Sequence, residues 1–220
     1  MKYTFSILIL LFIVPAFGQD KNTNELEVKP DFRPHELKVG LNLIRFGRNA
    51  FDSDLSTGEI QAALGMHSYF LTLDLGTEKN TRGDQYVSDG HYFRIGVDHN
   101  FVKDKYNGNV LSLGLRYARA SFDESLNYSG NFGFGQNQPI SRANTTQARW
   151  AELAFKLRGK VVSNLYMGMT MRWQVLRKIN GETELKTYDI PGYGNTKRKN
   201  STQFDYYVAW RLELGKGNKK

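Results

Sequence analysis

The sequence predicts an all-β protein, an eight-stranded antiparallel transmembrane up-and-down β-barrel with short periplasmic turns and long extracellular loops. Three observations lead to this fold class. Apolar and polar side chains alternate with a period of two, about eight such segments are long enough to cross a bilayer when tilted, and short connections alternate with long ones. Soluble sheet packing in a two-layer sandwich is the alternative, and it would need a second layer over each apolar face.

The N-terminus resembles an export signal. Lys2 precedes an apolar run from Tyr3 to Val14, and the small-residue site Ala16–Gly18 follows Pro15. The run is shorter than the roughly 20 residues that a spanning helix requires. We therefore predict a signal peptide at residues 1–18, a polar periplasmic lead-in at 19–35, a barrel at 36–215 and a basic tail at 216–220. The expected location is the outer membrane of a Gram-negative bacterium.

The alternation is clearest in two segments near the C-terminus. Leu165, Met167, Met169, Met171 and Trp173 fall on one face of Asn164–Gln174, and polar or small residues fall on the other. Gln203–Leu214 repeats the pattern. The full set of predicted strands is Glu36–Phe46, Gly58–Gly65, Tyr69–Lys79, Gly90–Phe101, Asn109–Ala120, Gln147–Gly159, Asn164–Arg177 and Gln203–Leu214.

The connections divide into two kinds. Short turns are expected at Met66–Ser68, Val102–Gly108 and Lys160–Ser163, and long loops at Gly47–Thr57, Asn80–Asp89, Ser121–Thr146 and Lys178–Thr202. The strand count depends most on the first of these turns, because Glu59–Leu75 otherwise reads as one nearly unbroken strand.

The polar faces of the strands hold both charge signs, and in so narrow a barrel they should fill the interior and pair with one another. The expected interior network contains Arg94, Asp98, Arg116, Glu152, Lys156, Arg172, Asp205 and Arg211, and the other strands add inward residues such as Glu59 and Glu213. A solute pore is disfavoured, since eight strands enclose little more than side chains.

Aromatic side chains near strand ends are expected to form a belt at the level of the lipid headgroups. The predicted belt consists of Phe101, Tyr106, Tyr117, Trp150, Tyr166, Trp173, Tyr206 and Trp210.

The formal net charge of +8 is spread over strands and loops, so a nucleic-acid stripe is not expected. Outer-membrane lipid and lipopolysaccharide are the more natural partners, together with other outer-membrane proteins that contact the loops or the barrel wall. Candidate loop contacts are Phe132, Phe134, Tyr193, Lys197, Arg198 and Lys199.

Catalytic, cofactor and metal sites are not expected. The chain has no cysteine, which excludes disulfides and thiolate ligands. His91, beside Ser88 and Asp89, is the best candidate for an acid–base residue, but a histidine next to an interfacial loop is the simpler interpretation. His91 and His99 lie about 26 Å apart along one strand and cannot share a metal.

Four segments resemble the signature stretches of a Bacteroidota envelope family catalogued as domain of unknown function 6048. They are Gly90–Asn100, Gly114–Tyr117, Trp150–Leu153 and Tyr188–Gly194, and the resemblance covers roughly Glu36 to Leu214. It implies an outer-membrane or envelope location and supplies no catalytic residues.

The resulting functional hypothesis is a non-enzymatic barrel that acts as an accessory or structural subunit of an outer-membrane complex for assembly, secretion or uptake. The alternatives are a lipid-modifying enzyme that uses His91 and a small-solute pore.

Overall fold

The computed structural model describes residues 32–83, 85–102, 108–130 and 138–214. The predicted signal peptide at 1–18, most of the lead-in at 19–35 and the tail at 216–220 lie outside the described residues. Phe132, Phe134 and Tyr106 lie outside them as well.

The described chain is nearly all β-structure. Its elements are β1 Pro34–Asn42, α1 Leu43–Phe51, β2 Leu55–Met66, β3 Tyr69–Arg82, β4 Tyr86–Asn100, β5 Val110–Gly130, β6 Gln138–Val162, β7 Leu165–Asn180, β8 Asp189–Ile190, β9 Gly194–Asn195 and β10 Asn200–Glu213. Among the described residues, no helix has the length and apolar character needed to cross a bilayer.

Eight of these strands form one closed antiparallel sheet. Each of β2 to β7 pairs with its neighbours in sequence, β10 follows β7, and β1 pairs with β10 to close the ring. The closing register joins Leu37 to Leu212 and Asn42 to Tyr207. The predicted all-β, eight-stranded, up-and-down antiparallel arrangement is therefore confirmed. The short strands β8 and β9 pair with each other in a separate two-stranded sheet.

Strand β1 begins and β10 ends at one rim, which we call the terminal rim, and α1 and the connection between β7 and β10 lie at the opposite loop rim. The tight turn expected inside Glu59–Leu75 is present between β2 and β3, where His67 adopts a φ of 52°. A second short turn between β6 and β7 has Ser163 at a φ of 44°. Positive φ is uncommon for residues other than glycine and is typical of such turns.

The loop rim differs from the sequence prediction in two ways. First, the strand predicted through Phe46 ends at Asn42, and α1 follows. Asn42 is the N-cap, its side chain accepting a hydrogen bond from the Arg45 backbone N–H at 3.3 Å. The helix turns the Arg45 side chain into the ring, where only 2% of the residue is exposed.

Second, the strands around the predicted long loops continue beyond the expected ends. β5 reaches Gly130 and β6 begins at Gln138, so most of predicted loop Ser121–Thr146 is a hairpin. Likewise β3 and β4 shorten predicted loop Asn80–Asp89 to residues 83–85. Ladder pairing to a neighbouring strand overrides the polar composition that made these segments resemble loops.

The two faces of the ring have opposite character. Large apolar side chains on the strands are exposed on the outer wall, including Leu73, Ile95, Leu115, Leu157, Met169, Trp173, Phe204 and Trp210. Polar and charged side chains on the alternate positions are buried inside. Two members of the predicted aromatic belt, Trp150 and Tyr166, belong to this interior face and are at most 1% exposed, so their assignment to the belt is wrong. Glu213, expected inside, is exposed at the terminal rim.

Candidate functional site

The interior of the ring is an ionic core. Among the described residues, nine carboxylates and eight cations are buried. All eight members of the predicted network are in this set. Because the two signs nearly balance, the interior presents no strong net field to a passing ion. The buried ionic residues are Glu36, Glu59, Asp74, Glu78, Asp98, Glu124, Glu152, Asp189, Asp205, Lys38, Arg45, Arg94, Arg116, Lys156, Arg158, Arg172 and Arg211.

Glu59 on β2 is the carboxylate with the most partners. It accepts hydrogen bonds from Arg94 Nη1 and the Tyr92 hydroxyl, each at 2.5 Å, and from the Tyr207 hydroxyl. Arg45 Nε lies 3.1 Å from the same carboxylate. Arg45 of helix α1 and Arg94 of β4 thus share Glu59 as a counter-ion, and this shared ion pair links the helix to the ring.

Arg172 on β7 is the corresponding cation. It pairs with Asp205, with Asp74 at 3.1 Å and with Glu152 at 3.4 Å. It also donates to the Tyr207 hydroxyl at 2.7 Å. These partners come from β3, β6 and β10, so one guanidinium joins strands on different sides of the ring.

A third group lies on β4, β5 and β6. Asp98 pairs with Lys156 at 2.8 Å and with Arg116 at 3.1 Å, and Arg116 also reaches Asp74 at 2.6 Å. Gly114 faces this group, and a Cβ there would collide with the Asp98 carboxylate. The glycine therefore leaves the space that the ion pairs occupy.

The terminal rim has its own charge group. Glu36 pairs with Arg211 at 2.5 Å and with Lys38 at 2.9 Å, and Lys38 donates to the Gly108 carbonyl at 2.9 Å. Of the predicted network, Arg211 alone belongs to this rim group, since the other seven make their described ion pairs with the groups above.

At the loop rim, the connection between β7 and β10 folds into the mouth of the ring. Ile190 and Tyr193 are buried against Tyr92, Phe122 and Trp150. The Gly192 carbonyl accepts a hydrogen bond from Arg94 Nη2 at 2.7 Å, which joins the loop directly to the ionic core. We call residues 181–199 the inward loop.

Gly192 is required for this fit. Its φ is +79°, and a Cβ would lie 2.6 Å from the Tyr92 ring. Only glycine meets both conditions at low cost. The Ile-Pro-Gly-Tyr segment is therefore an interior plug.

Tyr193 was predicted to be a loop contact, but it is only 3% exposed and packs edge-on against Trp150 at a centroid distance of 5.7 Å. The Tyr193 side chain fills the opening of the closed sheet at the loop rim. Burial raises the pKa of its hydroxyl, which donates to the Arg198 carbonyl at 3.1 Å. Lys197, Arg198 and Lys199 are exposed beyond it and stand apart from the interior network.

Asp189 lies at the edge of the same plug. Asn80 Nδ2 donates to its carboxylate at 2.5 Å. Burial, reinforced by the nearby negative charge of Glu78, raises the pKa of Asp189.

The histidine expected to be the best catalytic candidate shares the outer face with Asp89 and lies directly opposite Ser121 on β5, but it is not on the same face as Ser88. His91 is exposed on the outer wall, whereas Ser88 is 2% exposed and faces the interior. Residues on opposite faces of a strand cannot form a nucleophile–base pair. Within the part of the chain that the structure describes, no group of three or more His, Asp or Glu residues is arranged to hold a metal ion.

Arg45 is an interior residue that strand periodicity could not find. On a continuous β1 it would face outward, and only the change to helix at Asn42 directs it inward. The available signal was Asn42 itself, which is a favoured N-cap residue before the apolar Leu43 and Ile44.

Comparison with known proteins gives one match. The model of a family described as "Domain of unknown function (DUF6048)" matches residues 1–216. No curated protein and no solved structure matches the chain significantly.

Proposed function

The chain belongs to the family described as Domain of unknown function (DUF6048), and on that premise we propose that it is a filled outer-membrane β-barrel that acts as an accessory or structural subunit of a protein complex. The observation that carries the proposal is the combination of a blocked interior with an apolar outer wall. In this proposal the N-terminal segment is a cleaved signal peptide, the terminal rim faces the periplasm and the loop rim faces outward.

The apolar outer wall supports membrane insertion. Contiguous exposed apolar surface on a soluble monomer rarely exceeds a few hundred Å². Here large apolar side chains are exposed on the strands around the ring, with ionic side chains on the opposite face. A closed sheet also satisfies its backbone hydrogen bonds internally, as the hydrocarbon region requires.

The blocked interior argues against a pore. Along the axis, a solute would meet the ion pairs of Glu36, Asp98 and Glu59 in turn and then the inward loop with Ile190 and Tyr193. Opening this path would break several buried ion pairs, each costing about 3–5 kcal/mol when one partner is lost. A lipid-modifying activity would have to combine His91 with Asp89 or Ser121 on the outer wall, because Ser88 faces the interior.

The β5–β6 hairpin is the best candidate for a partner surface. The pairing of β6 with β7 ends at Gln147 and Asn180, but β6 extends back to Gln138. Beyond that point β6 pairs only with β5 among the described strands. The inward loop contacts β6 at Arg142, Asn144 and Thr145, so the edge that remains available is the segment from Gln138 to Ser141. Such edges are templates for strand addition by a partner protein.

Co-purification from the native membrane tests this function. The tagged chain is extracted in mild detergent and compared with the double variant Tyr128→Ser/Ile140→Ser on the hairpin. Val161→Ser/Val162→Ser, at the terminal rim, is the matched control, since both of its residues are exposed and apolar. We expect stoichiometric partners with the wild type and the control, and their loss with the hairpin variant.

Two results would count against the proposal. A chain that purifies alone at every concentration would argue against a complex subunit. Stepwise conductance in planar bilayers would favour the pore instead.

A further inference from the structure

The outer wall carries a row of cations on three neighbouring strands. Arg119 on β5 lies directly opposite Arg149 on β6, and Arg149 lies directly opposite Lys178 on β7. We call these three residues the outer cation row. Directly opposite residues in an antiparallel pair have Cβ atoms about 4.5–5.5 Å apart, and like charges at such positions are destabilising.

The row has no acidic partner in the described part of the chain. None of the described ion pairs includes Arg119, Arg149 or Lys178. Arg119 Nη2 donates to the Gln147 side chain at 2.6 Å, which satisfies one donor without neutralising the charge. The Nε of Arg149 is buried and has no hydrogen-bond partner among the described residues.

A β-bulge adds to the row. The register of β6 and β7 shifts between Arg149 and Trp150, where Lys178 and Leu176 are the opposing residues. Arg177, between them, is exposed beside Lys178. Bulges change the direction of side chains at defined places in a sheet, and this one gathers two consecutive cations on the outer wall.

The position of the row relates it to the membrane. The next outward positions toward the terminal rim are Tyr117, Ala151 and Val175, and beyond them lie Leu115, Leu153 and Trp173. Toward the loop rim the corresponding residues are Ser121, Gln147 and Asn180. The row therefore marks the boundary between the apolar wall and the polar hairpin, which is the level of lipid headgroups.

We propose that the outer cation row binds the phosphate of an anionic lipid headgroup in the outward-facing leaflet. Guanidinium groups match phosphate oxygens in a fixed, two-pronged geometry, and a phosphate between opposed arginines replaces their repulsion with charge-assisted hydrogen bonds. This inference depends on the membrane location proposed above. It adds to that proposal the chemical class of a ligand and the position on the outer wall where the ligand binds.

The test uses the full mature chain, refolded in zwitterionic micelles that contain either phosphatidic acid or phosphatidylcholine. Native mass spectrometry measures the lipid retained, and an added excess of inorganic phosphate separates a lipid headgroup from a free phosphate. The variant is Arg119→Gln/Arg149→Gln. The charge-matched control is Lys79→Gln/Lys160→Gln, because both lysines are exposed and outside the row.

We expect the wild type and the control to retain phosphatidic acid in preference to phosphatidylcholine. The row variant should bind phosphatidic acid about 25-fold more weakly, about fivefold for each cation removed. In phosphatidylcholine micelles it should be at least as stable as the wild type, because the repulsion between the two arginines is gone. A purely structural role for the arginines would instead lower its stability.

Three outcomes would overturn the inference. These are equal retention of the two lipids, equal losses in the row variant and the control, and complete displacement of phosphatidic acid by inorganic phosphate. Each can occur in a chain that refolds, inserts and retains its protein partners. Failure here is therefore distinguishable from failure of the proposed function.

Discussion

Replacement of Glu59 by glutamine tests whether the ionic core holds the ring together. The change removes one negative charge and preserves the shape of the side chain. Arg94 would keep Glu152 at 2.9 Å and the Gly192 carbonyl at 2.7 Å, and Arg45 would keep Glu78 at 2.7 Å. Arg172, which lies 3.7 Å from the Glu59 carboxylate, would keep its other carboxylate partners. Each of the three cations therefore loses one charged partner, and none is left unpaired.

The expected loss follows from these contacts. Removal of one partner from a buried ion pair costs about 3–5 kcal/mol, and the remaining counter-ions place Glu59→Gln at the lower end, about 3 kcal/mol. Equilibrium unfolding in urea, with the protein in micelles and tryptophan fluorescence as the signal, measures the difference. The control is Glu213→Gln at the exposed end of β10, which pairs with Arg211 at 3.6 Å and should change stability by about 0–1 kcal/mol. Equal effects of the two substitutions would refute the reasoning.

Three further predictions follow from single positions. Leu115→Lys, on a wall residue that is 70% exposed, should reduce folding into bilayers by about 2–4 kcal/mol if the residue lies near the bilayer midplane, and an unchanged folding yield would contradict the membrane assignment. Gly192→Ala should cost about 1–3 kcal/mol of loop stability through its positive φ and its contact with Tyr92, seen as faster protease cleavage within residues 181–199. Asp189→Asn should stabilise the protein at neutral pH, because the raised pKa of Asp189 means that its ionised form is disfavoured on folding. The gain in stability over the wild type should vanish as pH falls through that raised pKa. A gain that is independent of pH would contradict this account.

Strand periodicity predicted most of the ring because a closed sheet of few strands has only two environments. Arg94, Arg172 and Asp205 alternate with apolar neighbours, and the structure buries each of them. A one-residue error in phase would have exchanged every inward residue for an outward one. The confirmed tight turn at His67 separates β2 from β3. The inward-facing residues of each strand could therefore be assigned from that strand alone.

The loop rim could not be predicted in the same way because its structure depends on tertiary contacts. The sequence of Asn42–Phe51 suits either a strand or a short helix, and the choice depends on the interior acceptors Glu59 and Glu78 that receive Arg45. Composition made Lys178–Thr202 resemble an exposed loop. The fit of Gly192 and Tyr193 against Tyr92 and Trp150 becomes visible only when the ring is closed.

Trp150 shows the limit of composition rules most directly. A tryptophan near a strand end suggests a headgroup belt, but its alternation phase places it on the polar face. Inside the ring its Nε1 donates to Glu152 at 2.6 Å, so the indole packs against Tyr193 without leaving an unpaired donor. Where the alternation along a strand and the residue type suggest different faces, the alternation is the better guide, because the backbone fixes the direction of the side chain.

The two faces of the sheet differ in how their cations are paired. Inside, seven of the eight buried cations have a carboxylate partner, and the eighth, Arg158, donates to the Gln61 side chain at 2.7 Å. A low dielectric makes the loss of a carboxylate partner costly. Outside, Arg119 and Arg149 face each other and have no carboxylate partner among the described residues. A chain that balances nearly every charge inside but leaves opposed arginines at the edge of its apolar wall is complementary to an anion at that edge. In the proposed membrane location, the ionic core joins the strands from inside, and the outer cation row would set the depth of the ring in an anionic leaflet.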